Sequence, residues 1–459
     1  MKSERPSPGL DLITPVLEII QEMACLMGKA IYEFGKWLLD RFVGGGGSPN
    51  FLSVKALRTK RTTTEASALG IDASTKRVVK LSEIDFRRHS LVVGGSGFGK
   101  TNLLSILQEN SLSLGRPIIF IDPKGDLETL NSFRDLCRSY GRKCYIFSEY
   151  HPDSISLNPL LEGTINQVVS RLMSSFEWVN EYYRAQCEQA LFRVLRKLET
   201  AGTAFSLSSI LEELRLIETE EISGIVTNLT RIHESDFARR LESDTDALTI
   251  SRIRAEQACL YVGLSVQGYG ETARTIGRLI LGELLFNSYM TLRTSSQGEG
   301  LNNPLSVNFD ELGALLVPDF IELLNKCRGA GIELTMAVQS PADFAKFDPN
   351  LPTQIVENAA NLFILKQRVD DSASFFSKAI GTKLSTKSTH VVEDGETQAR
   401  GSVREVYELL AHPDIIKNLG IGQCVLLQQG PSRLRLINIR NKAKNAQPET
   451  RVQYDPAIF

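Results

Sequence analysis

The run Gly94-Gly95-Ser96-Gly97-Phe98-Gly99-Lys100-Thr101 fits the spacing G-x-x-x-x-G-K-[ST]. It follows a short apolar strand, Leu91–Val93, and opens a helix, Asn102–Glu109. In that setting the backbone N–H groups from Gly94 to Gly99 can turn inward around a chain of phosphates. The helix start adds favourable potential for anions. Lys100 is placed to reach the β and γ phosphates, and the Thr101 hydroxyl can ligate Mg2+. The plain alternative is a glycine-rich turn joining strand to helix. The strand–loop–helix placement argues for the phosphate site, with ATP and Mg2+ as the expected cofactors.

Hydrolysis also needs a carboxylate at a strand end. The apolar run Leu305–Phe309 ends in Asp310 and Glu311. Asp310 is expected to hold Mg2+, directly or through water, and Glu311 to polarise the attacking water as general base. The competing reading has both acids capping the next helix. A further turn, Asp122-Pro123-Lys124-Gly125-Asp126, follows the strand Ile118–Ile121. Ligands of α/β sheets bind at such C-terminal strand ends, so Asp122 and Lys124 are expected beside the nucleotide. A bare turn is the alternative.

These residues need a frame. Apolar runs of strand length recur at Leu91–Val93, Ile118–Ile121, Cys144–Phe147, Ala258–Leu264, Leu305–Phe309, Glu333–Val338 and Asn361–Leu365, with helical patterns between many of them. That alternation predicts an α/β fold with a mostly parallel sheet covered on both faces. From Asn158 to Leu241 the pattern is almost wholly helical, longest over Glu177–Glu199, which predicts an all-helical insert. The expected organisation is an N-terminal amphipathic helix over 1–43, a Gly/Ser linker over 44–50, a first core part over 51–157, the insert over 158–241 and a second core part over 242–459. Strand-like stretches run from Phe51 to Asp85. The N-terminal helix carries a heptad stripe at Val16, Ile20, Met23, Met27, Ala30, Phe34 and Trp37. Packing on its own core, a partner or second copy, and a membrane surface all remain open for that stripe.

Composition limits the rest. The 459 residues are 42% hydrophobic and 23% charged, which suits a soluble globular chain. The net charge of −2 excludes a basic nucleic-acid coat, so any DNA surface must be local, such as a pore. Seven scattered cysteines form no C-x-x-C pair and suggest neither a disulfide frame nor a zinc site. No uncharged apolar run reaches membrane-spanning length, and the start lacks a signal-peptide pattern.

The ordered set of P-loop, Asp-Pro-Lys-Gly-Asp turn, Asp310-Glu311, Arg328-Gly329-Ala330-Gly331-Ile332 and Gln339-Ser340 resembles the type IV coupling proteins, the VirD/TraD/TraG group within the FtsK/HerA class of ring translocases. Gly401–Val406 and Ile421–Cys424 are similar to that group's C-terminal core segments. The likeness covers about Arg87 to Ile439. It implies a RecA-like P-loop core and ATP hydrolysis coupled to DNA translocation. It further implies a homo-hexamer with Arg328 as an arginine finger acting across the subunit interface and Gln339 as a polar sensor of the γ-phosphate. The insert is expected to recruit relaxase or relaxosome proteins. The N-terminal helix is expected to meet secretion-channel or inner-membrane proteins from the cytoplasmic side. The resemblance departs in one point: coupling proteins usually begin with two transmembrane helices. An ATP-gated substrate receptor and a cytoplasmic DNA motor are the rival functions. The polar stretch Lys383–Arg400 is expected to be a surface hairpin or a pore loop.

Overall fold

The computed structural model describes residues 61–441, with breaks at 242–246, 295–303, 317–318, 394–395 and 430–432, together with Leu52 and Leu57. The expected N-terminal helix and glycine linker lie outside the described residues. In chain order the first half runs β1 (Gly70–Asp72), β2 (Val78–Val79), α1 (Glu83–Phe86), β3 (Ser90–Val93), α2 (Lys100–Ser113), β4 (Ile118–Asp122), α3 (Leu127–Ser139) and β5 (Cys144–Phe147). Then come five helices, α4 (Ile165–Ser175), α5 (Glu181–Ala201), α6 (Leu207–Leu216), α7 (Ser223–His233) and α8 (Ala238–Leu241), followed by α9 (Ile250–Ala255) and β6 (Cys259–Gly263). The second half has α10 (Val266–Thr294, kinked at Gly270), β7 (Leu305–Phe309), α11 (Asp319–Lys326), β8 (Ile332–Val338), α12 (Ala342–Ala345), α13 (Leu351–Asn358), β9 (Asn361–Ile364) and α14 (Asp370–Ile380). It closes with a hairpin β10 (Thr382–Glu393) and β11 (Glu396–Leu409), then α15 (Pro413–Lys417), β12 (Gln423–Gln428) and β13 (Arg433–Ile439).

Eleven strands form one sheet in the order β2-β1-β13-β12-β9-β3-β8-β7-β4-β6-β5. From β9 to β5 every pairing is parallel. The other edge, β12, β13, β1 and β2, is antiparallel. The central strands are buried along their whole length, which is why they read as continuous apolar runs rather than as alternation. Among the described residues, the strand-like stretch 51–85 contains only the two short strands β1 and β2. Its end is a helical turn instead, because Ser82 and Asp85 form a capping box that starts α1.

Side chains of alternate residues divide the sheet into two faces. One face carries the largest apolar cluster, which runs from Leu91, Val307 and Leu334 on the strands into Leu172, Leu191, Ile210 and Leu229 of the helices between β5 and β6. These helices therefore share a core with the sheet. The opposite face, under α2 and α3, holds two separate apolar clusters. One gathers Val92, Leu103, Leu107, Ala337 and Phe363, the other Leu104, Phe120, Phe133 and Tyr261. Between them lies a buried polar strip made by Ser306 and Asn308 of β7, Glu333 of β8, and Gln108 and Ser111 of α2.

Candidate nucleotide site

The P-loop spans the gap between the end of β3 and the start of α2. Gly94 N–H donates to Val338 O of the neighbouring β8 (3.1 Å) and Gly95 N–H to Lys366 O (3.3 Å), so both flanking strand ends fix the loop. Gly94 has no room for a side chain: a Cβ there would stand 2.6 Å from Leu365 Cβ. Gly99 caps α2 with φ +103°, a backbone state that glycine adopts without strain. Behind the loop, Gly422 N–H donates to Phe98 O (3.3 Å), which brings the segment before β12 against it. The Phe98 ring is flanked by Lys366 Nζ at 5.5 Å and the Arg368 guanidinium at 5.3 Å.

Lys100 is buried and folds back over the loop, donating from Nζ to Gly94 O (2.6 Å). Burial lowers its pKa, and the charges of Asp310 and Glu311 oppose that shift. Ser96, Gly97 and Thr101 are open to solvent at the helix start, the end that favours anions.

Asp310 and Glu311 stand just beyond β7, one strand past β8. Asp310 N–H donates to Ile121 O (3.1 Å), and its carboxylate is buried. Its Oδ2 lies 3.5 Å from Lys124 Nζ, while its Oδ1 has no partner. Burial raises the pKa of Asp310, Glu311 adds to the rise, and Lys124 and Lys100 counter it. Glu311 is a non-glycine residue at φ +64°, ψ +54°, a costly conformation that turns its carboxylate away from the strand axis. Its Oε1 accepts from Gln339 Nε2 (2.7 Å) and lies 3.6 Å from Lys124 Nζ. A buried carboxylate oxygen without a donor, beside Lys124 and within the field of Lys100 at the start of the P-loop helix, fits an Mg2+-bound phosphate chain. Thr101 and Asp310 would hold the metal, and the P-loop amides with Lys100 the phosphates.

The structure thus brings Lys100, Asp310, Glu311, Gln339 and Lys124 together, and it departs from expectation at Asp122. Asp122 is a correction: it is fully buried and both its oxygens serve the turn, Oδ1 accepting from Lys124 N–H (2.9 Å) and Oδ2 from Tyr261 Oη (2.7 Å). Burial pushes its pKa up to about 6 against those two hydrogen bonds. Asp122 shapes the loop that presents Lys124, and it offers nothing to a ligand. Arg328 stands apart from this group. It is exposed in a short 3-10 turn, Cys327–Ala330, that precedes β8. β3 and β8 are parallel, with Val93 beside Val338, so the P-loop lies at the far end of the seven residues of β8. At about 3.3 Å per residue that is roughly 20 Å, beyond the reach of a side chain.

Two supports were not anticipated. Asp343 Oδ2 accepts from both Gln339 N–H (3.1 Å) and Ser340 N–H (2.9 Å), fixing the turn that aims Gln339. The spacing Ser340-x-x-Asp343 is the capping signature that could have revealed it. Tyr261, the Asp122 partner, lies inside an apolar run and leaves no such signal.

Comparison with known proteins agrees with this architecture. Residues 72–249 match the family model for the central domain of the helicase HerA. Residues 304–419 match the model described as the TraM recognition site of TraD and TraG. The type 4 coupling protein DotL of Legionella pneumophila is 35% identical over 122 residues, which span 23% of this chain and only 16% of DotL. Among solved structures, the bacterial conjugative coupling protein TrwB, as its ΔN70 form, superposes with a TM-score of 0.63 at 18% identity, covering 86% of this chain and 95% of that one. TrwB in complex with ADP and Mg2+ gives 0.61 at 17% identity over 86% of this chain and 94% of that one. VirB4 of Thermoanaerobacter pseudethanolicus gives 0.56 at 14% identity over 83% and 98%. At these identities the structural likeness speaks for the fold alone, and each family model matches less than half of this chain. With the P-loop, the paired acids and the Gln339 turn arranged on a RecA-like sheet, the chain is similar to the type IV coupling proteins over the segments that the two family models and DotL match.

Proposed function

We propose that this chain hydrolyses Mg-ATP between the subunits of a homo-hexameric ring and uses the cycle to drive DNA into a type IV secretion channel during conjugative transfer. The observation that carries the reading is the division of the site. Lys100, Asp310, Glu311 and Gln339 converge at one end of the sheet, while Arg328 is exposed at the other. A guanidinium so placed serves a neighbour's γ-phosphate, where it offsets charge that develops in phosphoryl transfer. Within one subunit, Mg2+ on Thr101 and Asp310 would neutralise phosphate charge. Glu311, held by Gln339, would take the proton of the attacking water. Gln339 bridges Glu311 to the β8–α12 turn, so it is placed to report the state of the γ-phosphate.

A second reading concerns the helices between β5 and β6. Residues 158–241 carry twelve acidic against nine basic side chains. That balance disfavours a phosphate-binding surface and favours recruitment of protein, such as a relaxase. Secretion-channel or inner-membrane proteins are the proposed partners of residues 15–43. No described helix is long and apolar enough to cross a membrane.

The test is the ATPase rate with and without single- and double-stranded DNA at low salt, over a range of protein concentration, with Lys100→Ala as control. Cooperative stimulation by DNA is expected. A Lys100-dependent rate indifferent to DNA at every concentration would move the function to an ATP-gated receptor.

A further inference from the structure

The polar strip under α2 is an expensive feature in an otherwise apolar layer. It separates the two clusters that α2 covers, one holding Leu103 and Leu107, the other Leu104 and Leu112. Its members are all buried. Ser111 Oγ donates to Ser306 Oγ (3.2 Å), which also accepts from Asn308 Nδ2 (3.1 Å). At the lower end Arg116 pairs with Glu333. At the upper end the β7 residues on this face lead to Asp310. Three side-chain atoms of this column have no partner: Gln108 Nε2, Asn308 Oδ1 and Asp310 Oδ1. Buried polar atoms left unpaired cost stability, so packing does not explain them.

Position does. α2 starts at the end of β3 and runs back along the sheet against β7. From the Ser111–Ser306 contact, Gln108 lies one turn up the helix and Asn308 two residues up the strand. An unpaired donor and an unpaired acceptor therefore stand at one level. Two turns further up α2 are Lys100 and Thr101, and two residues further up β7 is Asp310. Apolar contacts let a helix slide along a strand, whereas hydrogen bonds fix its register because they are directional.

We propose that this column is a register device for the nucleotide site, with Gln108 and Asn308 as positioning residues that set Thr101 and Lys100 against Asp310. The Gln108–Asn308 rung closes when Thr101 and Asp310 share a ligand. The inference rests on nucleotide hydrolysis at this site and is independent of DNA transport.

The experiment uses the full chain with Gln108→Met, Asn308→Leu and the double variant. Melting is followed without nucleotide. ATP turnover is titrated with Mg2+, and binding of a fluorescent ATP analogue is measured in EDTA. The apolar variants are expected to melt within about 2 °C of the parent, since each removes an unpaired polar atom while Asn308→Leu also gives up the hydrogen bond to Ser306. Turnover should fall about 10- to 100-fold with a raised Mg2+ requirement, as expected for a small misplacement of reacting groups. Metal-free binding should be unchanged. Asn308→Gln, which restores an amide, should recover part of the turnover. Turnover within twofold of the parent, or a loss that tracks a lowered melting temperature, overturns the proposal. A parent no faster than Lys100→Ala overturns the hydrolysis reading, and the proposal falls with it. An active parent with indifferent variants sinks the proposal alone.

Discussion

At Asp310 two opposing influences meet within a few ångströms. Burial raises its pKa, and the ammonium groups of Lys124 and Lys100 pull it back. Only the ionised carboxylate suits a cation, so activity should fall as pH drops through this raised value. Lys124→Met removes one of the opposing charges. The Asp310 pKa then rises further, and the acid limb of the ATPase profile should move to higher pH while the limb in the parent stays put. An unmoved limb would assign the limb to another group. The residues proposed for the site could be picked out because phosphate chemistry demands particular side chains at fixed offsets, and the fold brings Lys100, Asp310 and Glu311 to one end of the sheet. Asp122 misled because its type and place fit a ligand equally well. Only the positions of Tyr261 and the Lys124 amide show that both its oxygens are spent on the turn.

Among the elements, the parallel strands were legible to within a residue or two because strands buried on both faces leave unbroken apolar runs. α2 was read too short, as Asn102–Glu109 against Lys100–Ser113. Its buried Gln108, Asn110 and Ser111 blur the apolar stripe that marks a helix. The stretch Lys383–Arg400 falls in the β10–β11 hairpin, whose register pairs Thr382 with Leu409. His89 shows what links the elements at the end of the sheet remote from the nucleotide. Its Nε2 faces Leu324 O (2.9 Å) and its Nδ1 accepts from Leu334 N–H (3.1 Å), so one ring ties the start of β3 to α11 and β8. Burial lowers its pKa to about 4, and it works as the neutral ring. His89→Ala strands both backbone groups and should cost about 1–3 kcal/mol in chemical denaturation. A cost below about 0.5 kcal/mol would show that the two groups find other partners.

Across the whole molecule, the proposed ring would turn the separation of Arg328 from the P-loop into half of an enzyme at each of two places on a subunit. Lys100→Ala can still present Arg328, and Arg328→Ala can still bind ATP. Each alone should be nearly inactive. Mixed in equal amounts, they should regain a measurable part of the parent rate, because some interfaces then combine an intact P-loop with an intact Arg328. Mixtures no more active than the sum of their components would remove Arg328 from the reaction. That arrangement was invisible to residue spacing, since distance along a sheet depends on which strands pair.

The pairing of β1 with β13 has a consequence for how the chain is made. Gly70 meets Ile439, so one of the earliest strands to leave the ribosome waits for the last. At about 5–20 residues per second the wait is roughly 20 to 70 s. During it β12 is also missing, and β9 is left as an open edge next to the P-loop strand. The nascent protein therefore passes through a state that is both unable to close its phosphate loop and ready to pair with another chain. Synonymous changes that slow translation downstream of β9 should lengthen that exposure and raise the demand for chaperones.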